Sequence, residues 1–414
     1  MIEEEYFIPI MLHEKVWCNT MNKEIYVDHS ATTAVRPEVL ECMLPYFSEQ
    51  YGNPSSIYRK GREAKRAVED ARSRIAGCLG CKPDEILFTG CGSEADNWAI
   101  IGTALANKQK GNHIITSAIE HHAVLHACQY LEKHGFRVTY VGVDEKGLLR
   151  MDELEKAICD QTILISVMMA NNEIGTIQPI EEIAALAREK GIIMHTDAVQ
   201  AMGQMEIDLS KLKVDLLSLA AHKFGGPKGI GLLFKRRGVK IDNFLHGGGQ
   251  ENGRRAGTEN TPSIIGMAKA VELAVAEREE HCKKMQAMRD RLIDQVLEKI
   301  PYTRLNGDRE KRLPGNANFS FRFVEGESLL LSLDLKGICA SSGSACTSGS
   351  LDPSHVLLAI GLPHEIAHGS LRVSFGEDNT MEDVDRIVDA LCEILPRLRD
   401  LSPLYEEFLK EQKE

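Results

Sequence analysis

The chain has 414 residues, 43% hydrophobic and 27% charged, which is ample for a large core in two domains. Its formal net charge of −12 argues against nucleic acid as a direct partner, and no apolar run approaches the ~18 residues of a membrane span. Eleven cysteines, an odd number without a repeating spacing, argue against a disulfide framework and for a reducing compartment, so a cytoplasmic location is expected.

The first twenty residues hold three glutamates before any apolar run, so they do not read as a signal peptide and are set aside as an extension of unknown role. Met21-Asn22-Lys23-Glu24-Ile25-Tyr26-Val27 looks like a natural beginning. Beyond it, apolar strands alternate with amphipathic helices. Strand-like runs are 85–89, 113–117, 137–141, 162–167, 192–196 and 214–219. Most are continuously apolar rather than alternating, the pattern of strands buried on both faces. Between them, apolar residues at Ile180, Ile183, Ala184 and Ala187 mark a helix over 180–190. Cys78-Leu79-Gly80-Cys81, a lone C-x-x-C with no partner pair, reads as a helix end. Lys235-Arg236-Arg237 reads as a solvated hairpin or strand end.

Alternating strand and helix implies an α/β fold with a mostly parallel sheet and right-handed crossovers. Near residue 275 the pattern changes. A charged helix is expected from about 268 to 300, then strands at 316–321 and 370–375 and a helix over 381–398, which together read as a smaller α+β domain.

Four loops sit at strand ends, the edge where open α/β sheets bind ligands. Gly90-Cys91-Gly92-Ser93-Glu94 is a glycine turn opening a helix, whose N–H groups and Ser93 hydroxyl suit a phosphate. Cys91 is expected to be a small packing residue. Glu120-His121-His122 offers an imidazole to stack on a flat ring and move protons. Asp197 ends a buried strand and needs a positive partner, which a protonated pyridine nitrogen would be; Gln200 follows it. Lys223, between a strand end and the turn Gly225-Gly226-Pro227, suits a Schiff base with an aldehyde cofactor. Downstream, Cys346 stands in Ser341-Ser342-Gly343-Ser344-Ala345-Cys346-Thr347-Ser348-Gly349, among hydroxyls and glycines rather than apolar neighbours. Such a thiol can move, ionise and attack. Taken together, the four loops are the equipment for pyridoxal phosphate, and a mobile thiol beside them suggests chemistry on a sulfur amino acid.

With these residues in view, the chain resembles the cysteine desulfurases of the NifS/IscS group, class V enzymes of fold type I, from about Ile25 to Tyr405. The resemblance is carried by Tyr26-Val27-Asp28-His29-Ser30-Ala31-Thr32-Thr33, Gly52-Asn53-Pro54-Ser55-Ser56, Ala170-Asn171-Asn172-Glu173-Ile174-Gly175, Gly247-Gly248-Gly249-Gln250-Glu251 and Arg255-Ala256-Gly257-Thr258. The Ser-Gly-Ser-Ala-Cys-Thr-Ser loop resembles the long-loop branch. The resemblance implies a seven-stranded, mostly parallel sheet in a large domain (36–278) and a small domain (21–35 with 279–414) carrying the cysteine loop at about 336–352.

It also implies roles. Lys223 would hold pyridoxal phosphate, Asp197 would pair the ring nitrogen, Gln200 would bond the ring oxygen, and His121 would stack and act as acid–base. Gly92, Ser93 and His222 would hold the phosphate, with Thr258 reaching it from the other subunit of a homodimer. Arg372 and Asn172 would bind the carboxylate of L-cysteine, with Asn53 near the same group. Cys346 would be the nucleophile, becoming a persulfide that feeds an acceptor scaffold protein of the IscU/NifU kind. Leu401-Ser402-Pro403-Leu404-Tyr405 resembles the family's acceptor-docking tail, the bland reading being a frayed charged helix. No resident metal site is expected. Two departures stand out. The usual Thr of the phosphate turn is Ser93, and a position often serine is Ala220. Selenocysteine lyase, a class V aminotransferase and a silent sulfur-relay protein are the competing readings.

Overall fold

The structure is a computed structural model that describes residues 24–342 and 353–412. Its strands in chain order are β1 (Ile25–Tyr26), β2 (Ile86–Thr89), β3 (His113–Ser117), β4 (Arg137–Val141), β5 (Thr162–Ser166), β6 (Ile193–Asp197), β7 (Leu216–Ala220), β8 (Gly231–Lys235), β9 (Thr303–Asn306), β10 (Asn316–Phe321), β11 (Ile338–Cys339) and β12 (Ser370–Ser374). Seven form one sheet in the order β2-β8-β7-β6-β5-β3-β4. Every pairing in it is parallel except the two made by β8, which is antiparallel to both β2 and β7. The carboxyl ends of β2, β3, β5, β6 and β7 therefore all lie on one edge. The interior strands β3 and β5 are buried at every residue, which is why they read as unbroken apolar runs.

The largest apolar core of the sheet and its helices runs in sequence from Val39 to Val271, and two smaller clusters, around Ile114 and Leu164 and around Trp98 and Leu233, pack further strand residues. The helix Arg59–Leu79 turns Ala64, Val68, Ala71 and Ile75 inward and ends on Gly80 at φ 69°, a left-handed cap that glycine adopts without Cβ strain. A second core gathers Ile25 and Val27 with residues from Met285 to Leu395 around the antiparallel sheet β12-β10-β9. The amino-terminal segment joins that core because β1 pairs in parallel with β11.

The charged helix expected over 268–300 is two helices, Thr261–Ala276 and Arg278–Lys299, interrupted at Glu277. The Glu277 carboxylate is held there by Arg36, a tertiary contact that helical periodicity does not report. In the basic triplet, Arg236 donates to the carbonyls of Leu209, Leu212 and Val214, and Arg237 pairs with Asp84, so this charge run closes a strand end. The carboxyl-terminal residues form a helix, Pro403–Glu411, rather than a frayed end. Its Phe408 ring lies 5.3 Å from Tyr302 and 4.9 Å from Phe323. Among the described residues, no helix is long and apolar enough to cross a membrane.

Candidate active site

At the carboxyl edge of the large sheet lies a cavity of about 390 Å³. Nine of the site residues expected from the sequence line it: Gly92 and Ser93 after β2, His121 after β3, Asn172 after β5, Asp197 and Gln200 at the end of β6, His222 and Lys223 after β7, and Arg372 from β12. It is therefore walled by the large sheet on one side and by a strand of the second core on the other. A further cavity, of about 350 Å³ and lined by Trp98, Lys235 and Asp242, has no comparable convergence of acid, base and cation.

The approach of the chain to the cavity is tight. A Cβ on Gly92 would meet Val199 at 3.0 Å and Ala220 at 3.2 Å, so glycine is what lets this turn lie against the sheet. Cys91 is not a packing residue: it is exposed, lines the cavity and caps the helix, its sulfur accepting the Glu94 N–H at 3.4 Å. The turn is braced from behind by Glu94, which accepts the Gly90 N–H and forms a fork with Arg255 at 2.8 and 3.0 Å.

Lys223 follows β7 in a single helical turn, Ala221–Lys223. Its Nζ donates to the carbonyls of Ser30 and Ala31 at 2.6 and 2.8 Å. Gln200 Nε2 donates to the same Ser30 carbonyl at 3.0 Å. His222 is tied at Nδ1 to the Thr32 hydroxyl at 3.1 Å. One segment, Ser30–Thr32, thus organises three of the cavity's polar residues, and sequence motifs at strand ends gave no sign of it.

Burial dominates the electrostatics. The imidazoles of His121 and His222 are each pushed down to about 4, first by desolvation and then by the charge on Lys223, so both are neutral near pH 7. His121 Nδ1 accepts the Ala123 N–H at 3.1 Å, which places its proton on Nε2. Asp197 is buried and its carboxyl is raised by desolvation, against the opposing pull of the Val199 N–H at 2.9 Å and of Lys223. Asp96, also on the cavity lining, is raised well above the usual carboxylate range by desolvation and by Asp197. Its Oδ1 has no hydrogen-bond partner among the described residues, although His195 Nε2 stands 3.6 Å away. Glu120, fully buried behind His121, is pushed up to about 8 by desolvation, while the Ser117 hydroxyl (2.5 Å) and the Met168 N–H (3.0 Å) donate to it.

This excess of buried carboxyls, Asp96, Asp197 and Glu120, over the one amine of Lys223 is a direct test of the expected cofactor. A protonated ring nitrogen beside Asp197 would add to Lys223 a second positive charge against the desolvated carboxyl. The residues present fit such a group.

The opposite wall is arranged differently. Arg372 Nη2 donates to Asp28 at 2.8 Å and Nη1 to the Asn172 carbonyl at 3.0 Å, while Nε has no partner among the described residues. Asp28 was not anticipated as a partner. Neither was Glu173, whose carboxyl, raised to about 7 by burial, accepts from Ser354.

Three expected residues stand apart. Asn53 is exposed and its Oδ1 accepts the Ser55 N–H at 2.9 Å within its own turn, off the lining. Thr258 is exposed and also off the lining. Cys346 lies outside the described residues, as do residues 1–20.

Comparison with known proteins bears on this geometry. Residues 25–387 match the family model described as Aminotransferase class-V. The chain is 57% identical to the protein named cysteine desulfurase IscS of Clostridium botulinum strain Hall over 396 residues, 95% of this chain and 100% of that one. It is 59% identical to a protein of the same name from Methanosarcina thermophila over 386 residues, 93% and 95% of the two chains. A solved structure titled NifS-like protein superposes with a TM-score of 0.85 at 40% identity, covering 90% of this chain and 99% of that one.

Proposed function

Because this chain belongs to the class V aminotransferase family, in its NifS/IscS group of cysteine desulfurases, we propose that its cavity takes sulfur from L-cysteine with the help of pyridoxal phosphate. The observation that carries the reading is the convergence of Lys223, Asp197 and Arg372 on one cavity. Lys223 comes with an amine held by two carbonyls, Asp197 is a buried acid whose desolvation outweighs the pull of Lys223, and Arg372 is a guanidinium on the facing wall.

In this reading Lys223 holds the cofactor and Asp197 pairs its ring nitrogen. Gln200 meets the ring oxygen, and His121, neutral with its proton on Nε2, lies against the ring. Gly92, Ser93 and His222 hold the phosphate, and the exposed Thr258 is offered to the same group of a second copy in a homodimer. Once bound, pyridoxal phosphate supplies an electron sink for the amino acid attached to it. Lys223 Nζ would take the α-proton of the substrate. Arg372 and Asn172 orient the substrate carboxylate, with Asn53 at the approach. Cys346, as thiolate, would attack the substrate sulfur, its S–S bond forming as the substrate Cβ–S bond breaks with the electron pair left on carbon, which takes up a proton to give alanine; the outer persulfide sulfur would then pass to an acceptor protein for iron–sulfur cluster assembly.

The same reading divides the chain into a cofactor-binding part, 36–278, and a smaller part made of 21–35 and 279–414. The two separate apolar cores support it. A cytoplasmic location is part of the proposal.

Alanine and sulfide release from L-cysteine with a reductant tests it. Native protein should yield both. Cys346→Ala should keep the visible colour of the cofactor and lose release, whereas Lys223→Ala should lose both. A colourless or inert native protein, or one active on L-selenocysteine alone, would overturn the reading.

A further inference from the structure

Glu173 is a buried acid for which the chemistry above has no use, and it is not on the cavity lining. It lies in the turn after β5, beside Asn172, and its backbone is held from both sides. Asn171 Oδ1 accepts the N–H groups of Glu173 and Ile174, each at 2.9 Å, and Gly175 closes the turn at φ 77°. The Glu173 carbonyl accepts the side-chain amides of Asn316 and Asn318, from β10, at 3.3 and 3.1 Å.

The carboxyl of Glu173 accepts the hydroxyl proton of Ser354. Ser354 caps the helix His355–Ala359, its Oγ accepting the N–H groups of Val356 and Leu357 at 3.1 and 3.3 Å. A hydroxyl has one proton to give, and here Glu173 takes it. The same helix is fastened a second time, since His355 Nε2 donates to the Glu120 carbonyl at 3.0 Å.

This is the first described helix after the segment that bears Cys346, which stands eight residues before Ser354. The other end of that segment is tied to the same wall. Ser341 N–H donates to the Arg372 carbonyl at 3.2 Å, and Arg372 N–H to the Ser341 carbonyl at 2.6 Å. Arg372 Nη1 in turn reaches the carbonyl of Asn172, the neighbour of Glu173. Both anchor points thus rest on the residues proposed to hold the substrate carboxylate. Eight residues span at most about 29 Å when fully extended, so a fixed Ser354 limits where the Cys346 thiol can act.

We propose that Glu173 is a positioning residue for sulfur transfer: by holding Ser354 it fixes, against the carboxylate-binding wall, the point from which the Cys346 segment is tethered. The proposal rests on the reading that Cys346 takes the sulfur.

Variants of the holoprotein test it. Glu173→Gln keeps an oxygen acceptor for Ser354, and because burial already pushes the carboxyl up to about 7, a neutral side chain is a close mimic. Glu173→Leu removes the acceptor, and Ser354→Ala removes the donor. In Glu173→Leu, kcat for alanine formation should fall roughly tenfold with KM for L-cysteine within about twofold of native, the worth of one buried hydrogen bond. Glu173→Gln should keep a near-native kcat. The Glu173→Leu/Ser354→Ala double variant should lose little more than the worse single one, because both break the same bond. If Glu173→Leu does not fold, Ser354→Ala carries the test. Alkylation of Cys346 by iodoacetamide, followed by peptide mapping, reads the tether without turnover. Its rate should rise several-fold in Glu173→Leu and stay native in Glu173→Gln. Gln and Leu variants that behave alike, or a loss carried by KM through the charge of Arg372, overturn the proposal. An inert native protein overturns the desulfurase reading instead, and the alkylation rates still decide the anchor.

Discussion

The two walls of the cavity settle their charge in opposite ways. On the large-sheet side, Asp96 and Asp197, with Glu120 behind them, are buried and raised by desolvation, and the Lys223 charge offsets this at Asp197 in part. On the facing side, Arg372 is equally buried but already engaged by Asp28 and a carbonyl. In the proposed function the first wall would take the positive ring nitrogen of the cofactor at Asp197. The second already has a carboxylate on its guanidinium, with Nε still unpartnered among the described residues, so a substrate carboxylate enters in competition with Asp28 or beside it. Uncompensated charge in a pocket is thus a sign of the ligand's own charge.

Asp197→Asn is the harshest way to break that contrast. It removes the only charge proposed for the ring nitrogen, and turnover should fall roughly 10²–10³-fold, as when one preorganised electrostatic partner is lost. Cofactor absorbance in the holoprotein and kcat for alanine formation report it, and a variant with native kcat would remove Asp197 from the mechanism. Arg372→Lys keeps the charge and loses the fork. It should raise KM for L-cysteine roughly 10–100-fold with kcat less affected, the worth of a charge-assisted hydrogen bond. An unchanged KM would mean that the carboxylate binds elsewhere.

Glu120 gives the mildest effect and the sharpest sign. Its carboxyl, ordinarily at 4.5, is pushed up to about 8, so it holds its proton more tightly folded than unfolded. Stability from this group is complete below about 4.5 and drains away as pH rises through about 8. Glu120→Gln should flatten the loss of urea stability over that window by a few kcal/mol at most, with little change at pH 5. Parallel native and variant curves would place the Glu120 proton elsewhere.

What the sequence reveals follows from the range of each interaction. Asp197 and Lys223 are legible because Asp197 closes a buried strand and Lys223 follows another by one short turn, and a charge there stands out. Asp96 is not, since it lies within the short helix Gly92–Asn97 and is buried by the packing of that helix against β7, β8 and the helix His122–Glu132. The Ser30 and Ala31 carbonyls on Lys223 arrive from 193 and 192 residues away, and Asp28 meets Arg372 across 344. No local pattern encodes such pairs. The parallel character of the sheet was readable from unbroken apolar runs. β8, antiparallel and buried at Gly231–Phe234, has a short apolar run, Leu232-Leu233-Phe234, that does not report its direction, followed by the basic strand end at Lys235-Arg236-Arg237. The break at Glu277 depends on Arg36 in the same way.

The most direct test of the account is borohydride reduction of the holoprotein followed by peptide mapping. The account predicts a phosphopyridoxyl group on Lys223 and on no other lysine, with Asp197→Asn labelled at the same position but to a lower extent. A label on Lys228, or no label on a coloured protein, would contradict it.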